Sequence, residues 1–346
     1  MSAISAADSV SPAIQRTKVL LFRPFNWGTY LKLGLIALIT EGFAGNFSSS
    51  NNGSHSSGQV PSIHAPFCSG MQCVVAIAMC LLLAFVVLVI FYFVTRLRFA
   101  FFHCLVHNTT EIRPGWWLYR APAVRFFWLN ILVGVCFLLV IALTALPFIS
   151  GFLRLYHETQ HGDPFNLGLL LSLLLPLLPI IFLLALAAIA TDVVLRDFML
   201  PHFALENATA GEAWSRVWAR ISAEKRQFIV YAILRLFLPT IAMIAVFIVL
   251  FIPGLILAGS LAVVELGIHS LFSDATGAPA VIGILLQVFF GVLGFGFLLL
   301  ASICVAGPVS TAIREYALVF YGGRFQTLGD ILYPRLPHPQ SFHAQP

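Results

Sequence analysis

Long apolar runs, each about the length of a bilayer-crossing helix, alternate along this chain with shorter stretches that carry nearly all of its charge. A hydrocarbon layer about 30 Å thick needs roughly 20 apolar residues in a helix, because every backbone N–H and C=O must be bonded within the segment. Residues 74–94, 126–149, 167–191 and 281–307 meet this without an Asp, Glu, Lys or Arg, and residues 228–252 hold one, Arg235. The run at 30–47 is weaker, with Lys32 near one end and Glu41 near the other. Both side chains are expected to reach the interface by snorkelling. Counting this run, the pattern predicts an all-α integral membrane bundle of six transmembrane helices forming a single domain, 1–346.

Charge adds orientation. Of the 19 Lys and Arg residues, all but Arg154 fall in four stretches that alternate with the apolar runs. Loops rich in Lys and Arg stay cytoplasmic, so both termini are expected inside, and the alternation requires a crossing at 30–47. With 60% hydrophobic and 10% charged residues, the chain lacks the polar surface of a soluble domain of 346 residues. The net charge of +5 comes from the cytoplasmic segments. For a chain of this class the nearest polyanion is the surface of anionic lipid head groups, and nucleic acid is not an expected partner. The first 30 residues lack an apolar core with a cleavage site, so the first span is expected to direct insertion and be kept.

With the spans in place, a unit recurs three times: a cytoplasmic amphipathic segment, an outward span, an external loop and an inward span. The units run to about Phe99, from Ala100 to Asp197 and from Phe198 to Gly307. Phe99, His103 and Asn108 recur 99 positions later as Phe198, His202 and Asn207. That spacing suggests an internal repeat. In the third unit Thr209 and Glu212 suit a capping box, followed by Trp214, Val217, Trp218 and Ile221 at helical spacing with Arg216, Arg220, Lys225 and Arg226 beside them. A helix lying in the membrane interface reads this way. The second segment carries Trp116, Trp117, Arg120 and Arg125, but Pro114 and Pro122 limit it to short helical pieces. At the N-terminus Ser11 and Pro12 suit a helix start. Near the other end Val309, Ile313, Tyr316, Ala317 and Phe320 share a face until Gly322 and Gly323, and 324–346 reads as a cytoplasmic tail. These segments act at least as elbows that position the spans; recruiting anionic lipid, a protein partner or a second copy is the further possibility.

Candidate chemistry is sparse. Residues 48–58 are Ser, Asn and Gly with one His, a composition that suits a flexible external loop. Cys68 and Cys73 lie on the expected outer side, close enough in sequence for a disulfide. His157, Glu158 and His161 spell H-E-x-x-H, which on a helix places two imidazoles on one face to hold zinc while the glutamate activates water. Gly162, Asp163 and Pro164 follow at once and would end a helix there, and a further ligand would have to come from Glu265 or His269 in the third external loop. A solvated interhelical loop is the ordinary reading of that stretch. Transport is the other active alternative: Pro176, Pro179 and Pro239 suit kinked helices, yet ionisable residues within the spans are nearly absent. The residues name no cofactor and no reaction, and the chain is expected not to be an enzyme.

Three stretches carry a resemblance. They are Ser11-Pro12 through Arg16, Lys18, Leu21-Phe22, Pro24-Phe25 and Trp27 to Lys32-Leu33-Gly34; Asp197-Phe198 to Asn207 before Ala213-Trp214; and Arg314-Glu315-Tyr316 through Gly322-Gly323 to Pro334. Together they resemble an uncharacterised prokaryotic multi-pass membrane family of unknown function. The layout is also similar to the membrane domain found beside some glycerophosphodiester phosphodiesterases. The resemblance implies a six-helix module of a prokaryotic cytoplasmic (inner) membrane and no established activity. The expectation is a non-enzymatic module that organises or senses lipid or scaffolds a partner.

Overall fold

The computed structural model describes residues 5–42, 70–160, 167–272 and 278–334. Every regular element among them is helical. In chain order they are α1 (Val10–Phe22), α2 (Trp27–Ala37) continued by a π-helical turn (Leu38–Gly42), α3 (Gly70–His107), α4 (Ile112–Leu118) and α5 (Arg120–Gln160). Then come α6 (Leu167–Val193) with a second π-helical turn (Val194–Met199), α7 (Leu200–Leu205), α8 (Ala210–Ala223), α9 (Lys225–Phe272), α10 (Ala278–Gly322) and α11 (Gln326–Leu332).

Among the described residues, five helical stretches are long and apolar enough to cross a membrane: Val74–His107, Arg120–His157, Leu170–Leu205, Lys225–Phe272 and Val281–Gly322. Leu82, Phe85, Leu138, Leu175, Phe247 and Phe295 on them are 60 to 73% exposed. Apolar surface on that scale is untenable in water and is what hydrocarbon covers. The chain is a membrane protein.

The helices are longer than the spans expected from sequence. At about 1.5 Å per residue, the 38 residues of α3 reach roughly 57 Å, nearly twice the hydrocarbon thickness. The surplus is packed against protein: on α3 the exposed face runs from Val74 to Phe93, and burial begins at Val94 and continues through Val106. On α10 the change comes after Leu300, with Ile303, Ile313 and Tyr316 to Tyr321 buried.

The expected first span differs from the other five. The described part of it, α2 and its π-helical turn, has Tyr30, Leu33, Ile36, Ala37 and Thr40 buried, so it is packed into protein before it could meet lipid. Glu41 does not snorkel: its Oε2 accepts a bond from Arg235 Nη2 at 3.2 Å, with both side chains about a tenth exposed. Two isolated opposite charges in apolar segments neutralise each other, as buried charges must. Residues 43–69, which include the expected external loop and Cys68, lie outside the described residues; Cys73 is in the first turn of α3 with its side chain outside them.

Two compact units are present, Met1–Trp117 with Arg226–Pro346, and Leu118–Lys225. In the first, α1 buries Ala13, Thr17, Leu20 and Leu21, a stripe at i, i+4, i+7 and i+8, and it packs on α10. The C-terminal apolar face foreseen at 309–320 is indeed buried, but it belongs to α10 itself, because the helix runs through Pro308 without a break. A proline removes the N–H that would bond the carbonyl four residues earlier, here that of Cys304. The Tyr30 hydroxyl donates to that carbonyl instead. One turn away Gly34 and Gly307 meet: a Cβ on Gly307 would lie 2.6 Å from Gly34 Cα, so α2 and α10 touch backbone to backbone. Tyr231 stacks on Phe320 at 4.4 Å and on Tyr316 at 5.2 Å.

The segment from residue 324, read as a tail, contains α11, which buries Leu328, Gly329 and Leu332. Arg16 fastens it. Its Nη1 donates to Leu332 O at 3.1 Å, Nη2 to Leu105 O at 3.0 Å and Nε to Glu315 Oε2 at 3.0 Å, so one guanidinium joins α1, α3, α10 and α11.

In the second unit α5 and α6 contact each other, and Phe126 of α5 meets Phe203 of α7 edge to face at 5.5 Å. Pro176 and Pro179 lie inside α6, and Pro239 inside α9, without interrupting either helix. The π-helical turn after α6 buries Arg196 and Asp197, and Arg196 Nε lies 2.8 Å from Asp192 Oδ1, one helical turn earlier.

Candidate functional site

Of the residues proposed from sequence for the membrane surface, Trp214, Arg216, Trp218 and Arg220 lie on α8, which follows α7 in the second unit, whereas Trp116, Trp117 and Arg226 belong to the first. Asn207 ends the preceding helix in the left-handed region, φ 51°, a conformation that asparagine tolerates better than most residues. Thr209 then caps α8 as its sequence foretold: the Glu212 N–H donates to Thr209 Oγ1 at 3.5 Å and the Thr209 N–H to Glu212 Oε2 at 3.1 Å. The bond from the Thr209 N–H, together with the Thr209 hydroxyl beside it, holds the exposed Glu212 carboxyl below the usual carboxylate range.

The cations of the stripe do not act alike. His202 is fully buried, with Nδ1 2.7 Å from Glu206 Oε2 and Nε2 3.0 Å from Arg220 Nη1. A guanidinium only donates, so Nε2 accepts and Nδ1 carries the proton that goes to Glu206. Arg216 also pairs with Glu206. Burial alone would raise the Glu206 carboxyl, but the bonds from His202 and Arg216 outweigh it and hold the group below its ordinary value. Arg216 and Arg220 are thus part of an internal network. Arg125 is engaged too, donating to Asn207 Oδ1 at 3.3 Å. Arg120, Lys225 and Arg226 are exposed and form no ion pair among the described residues.

The apolar stripe divides the same way. α8 buries the small Ala213 and Val217 against protein and leaves Trp214 and Trp218 49% and 57% exposed, stacked on each other at 6.0 Å. In the first unit Trp116 is half-buried: it lies against Phe93 at 6.1 Å and its ring faces the Arg96 guanidinium at 4.2 Å, while Trp117 is 61% exposed. Arg96 was not among the residues singled out by sequence. Its place one turn beyond the apolar run, facing two consecutive tryptophans, was the available signal.

The zinc motif lies only partly within the described residues. His157 lies exposed on α5, which continues to Gln160, so this stretch is helical rather than a loop, and His161 lies outside the described residues. Glu265 and His269 are exposed on α9, also helical where an external loop was expected. Among the described residues no group of three His, Cys, Asp or Glu side chains is placed to hold a metal.

Comparison with known proteins bears on the whole chain. The profile of a family of unknown function (DUF7544) matches residues 4–331. The chain belongs to this family. No curated protein and no solved structure matches it. As a DUF7544 member it takes no activity from its relatives, and the likeness in layout to the membrane domain beside glycerophosphodiester phosphodiesterases finds no counterpart in these comparisons.

Proposed function

We propose that this DUF7544 protein is a non-enzymatic membrane module whose working surface engages anionic lipid head groups on the cytoplasmic side of a prokaryotic inner membrane. The observation that carries the reading is the orientation of α8: the helix turns alanine and valine inward and a stacked tryptophan pair outward. In water that arrangement sacrifices the burial of its two largest side chains. At head-group depth it suits indole, which has an apolar ring and a polar N–H. Lys225 and Arg226 supply exposed positive charge directly after α8, and Arg120 supplies more at the start of α5.

Topology belongs to the same proposal. Five crossings would leave the termini on opposite faces, whereas the distribution of Lys and Arg favours one face for both, so a sixth crossing is assigned to 30–47, whose described part is α2 and its π-helical turn. The threefold repeat is supported by Asn108 and Asn207, 99 residues apart, which both end helices with φ near 50°. A protein partner or a second copy on the basic face remains the alternative occupant.

Each basic side chain close to an anionic surface contributes about 1 kcal/mol. Changing Arg120, Lys225 and Arg226 together to Gln should therefore remove about 3 kcal/mol of attraction. In nanodiscs of mixed charge, the enrichment of anionic lipid around the full-length protein should fall at least tenfold. Unchanged enrichment would refute the lipid reading and favour a protein partner.

A further inference from the structure

The α1–α2 loop and the α3–α4 turn border an open cavity of about 400 Å³ in the first unit, within the range of about 300–1,000 Å³ typical of small-molecule sites. It is lined by both signs of charge: Arg23 from one side and Glu111 from the other. Neither forms an ion pair among the described residues. Asn108, Thr109 and Thr110 add side-chain donors and acceptors between them, and Val19 and Leu20 add an apolar wall.

The walls are fixed. Asn108 holds the turn in the left-handed region at φ 50°, and Gly115 sits so close to α3 that an added Cβ would lie 2.7 Å from His103 Cβ. The corresponding turn in the second unit shows a different outcome from the same backbone. There Glu206, next to Asn207, is neutralised by the protein's own Arg216. In the first unit the residue before Asn108 is His107, and the charges at the turn face the cavity instead of each other.

We propose that this cavity binds a phosphate ester bearing a primary amine, of the phosphoethanolamine type. Arg23 takes the phosphate, Glu111 the ammonium, and the threonine hydroxyls the ester oxygens. A simple anion would meet the Glu111 carboxylate and a simple cation the Arg23 guanidinium; a zwitterion satisfies both. The same chemistry occurs in a soluble ester and in a membrane lipid, and the surroundings favour the lipid. Phe22, Phe25 and Trp27 flank Arg23 and Pro24, are 46%, 47% and 63% exposed, and pack ring to ring, Phe25 on Trp27 at 5.1 Å. An exposed aromatic cluster of this kind belongs at a membrane interface. The assignment rests on the reading of the chain as a lipid-engaging module but uses different residues.

The test is retention of defined lipids by full-length protein, stripped in detergent and then offered phosphatidylethanolamine, phosphatidylcholine or phosphatidylglycerol and read by native mass spectrometry. Phosphatidylethanolamine should be preferred by about tenfold, the scale of one charge-assisted hydrogen bond that a quaternary amine cannot make. Glu111→Gln should abolish the preference, and Arg23→Gln should weaken retention of all three lipids. Lys18→Gln, on an exposed α1 residue outside the cavity, should leave both intact, and an unchanged unfolding midpoint would show that the variants fold. Binding of soluble phosphoethanolamine without retention of the lipid would support the site and assign it to a soluble ester. Equal retention of all three lipids with no binding of the soluble ester, a preference indifferent to Glu111→Gln, or retention indifferent to Arg23→Gln would overturn the proposal. Loss of anionic enrichment in the Arg120, Lys225 and Arg226 variant with this preference intact would separate the two surfaces.

Discussion

Removing the guanidinium of Arg16 tests whether the first unit is fastened where its helices converge. Arg16 makes three hydrogen bonds of 3.0 to 3.1 Å, and its partner Glu315 is 1% exposed. Arg16→Met keeps much of the aliphatic stem but leaves a buried carboxylate and two carbonyls without this donor. Breaking a buried pair from one side costs about 3–5 kcal/mol. Arg16 is itself 21% exposed, which admits water to the orphaned groups and places the expected loss near the lower end, about 3 kcal/mol. Glu315→Gln keeps an acceptor for Nε while removing the charge, so about 2 kcal/mol is expected. If the two groups act through each other, the double variant should be about 1–2 kcal/mol more stable than the sum of the single losses predicts. Reversible unfolding in a denaturing-detergent titration, followed by helical circular dichroism, measures all three. Losses that add within about 0.5 kcal/mol would refute the claim that Arg16 and Glu315 form one coupled clip.

Other consequences are as direct. Glu206 is held below its ordinary value, so its contribution to stability is present above the unfolded carboxyl value and is lost as pH falls through the folded one; Glu206→Gln should flatten the acid limb of the stability profile, and an unchanged limb would contradict the network. Gly307→Ala forces a methyl to within 2.6 Å of Gly34 Cα and should destabilise by about 1–3 kcal/mol, whereas Gly134→Ala, with open space around it, should be neutral or stabilise by up to about 1 kcal/mol. Tyr30→Phe leaves the Cys304 carbonyl beside Pro308 without its hydroxyl donor and should cost about 1–2 kcal/mol in the same unfolding titration. Accessibility of single cysteines introduced at Ala7, Arg113, Ala223 and Tyr333 should report one side of the membrane; a terminus labelled from the opposite side would remove the sixth crossing.

Much of the helical content was legible because apolar runs admit little else in a bilayer. The capping box at Thr209 and Glu212 was legible for a similar reason: its bonds are local. What escaped the sequence was long-range. Glu41 and Arg235 are 194 positions apart, and each alone reads as a snorkelling charge. Arg16 reads as one more interfacial cation, since nothing near it in sequence reveals that α10 and α11 fold back to meet it. The expected span ended at Gly307 and a separate face began at Val309, and the presence of Tyr30 beside Cys304 explains how one helix passes through Pro308 between them. The tryptophan stripe had the right period, but helical spacing shows only that Trp214, Val217 and Trp218 are neighbours, not which of them faces protein.

The central claim is that α8 presents its tryptophan pair to lipid head groups. Full-length protein with Trp27, Trp116, Trp117 and Trp128 changed to Phe, placed in nanodiscs whose acyl chains are brominated either near the head group or near the bilayer centre, tests it directly. Fluorescence of Trp214 and Trp218 should be quenched more strongly by the shallow bromines, and more so as the anionic lipid fraction rises. Emission indifferent to both bromine depths would place α8 away from the membrane and contradict the account.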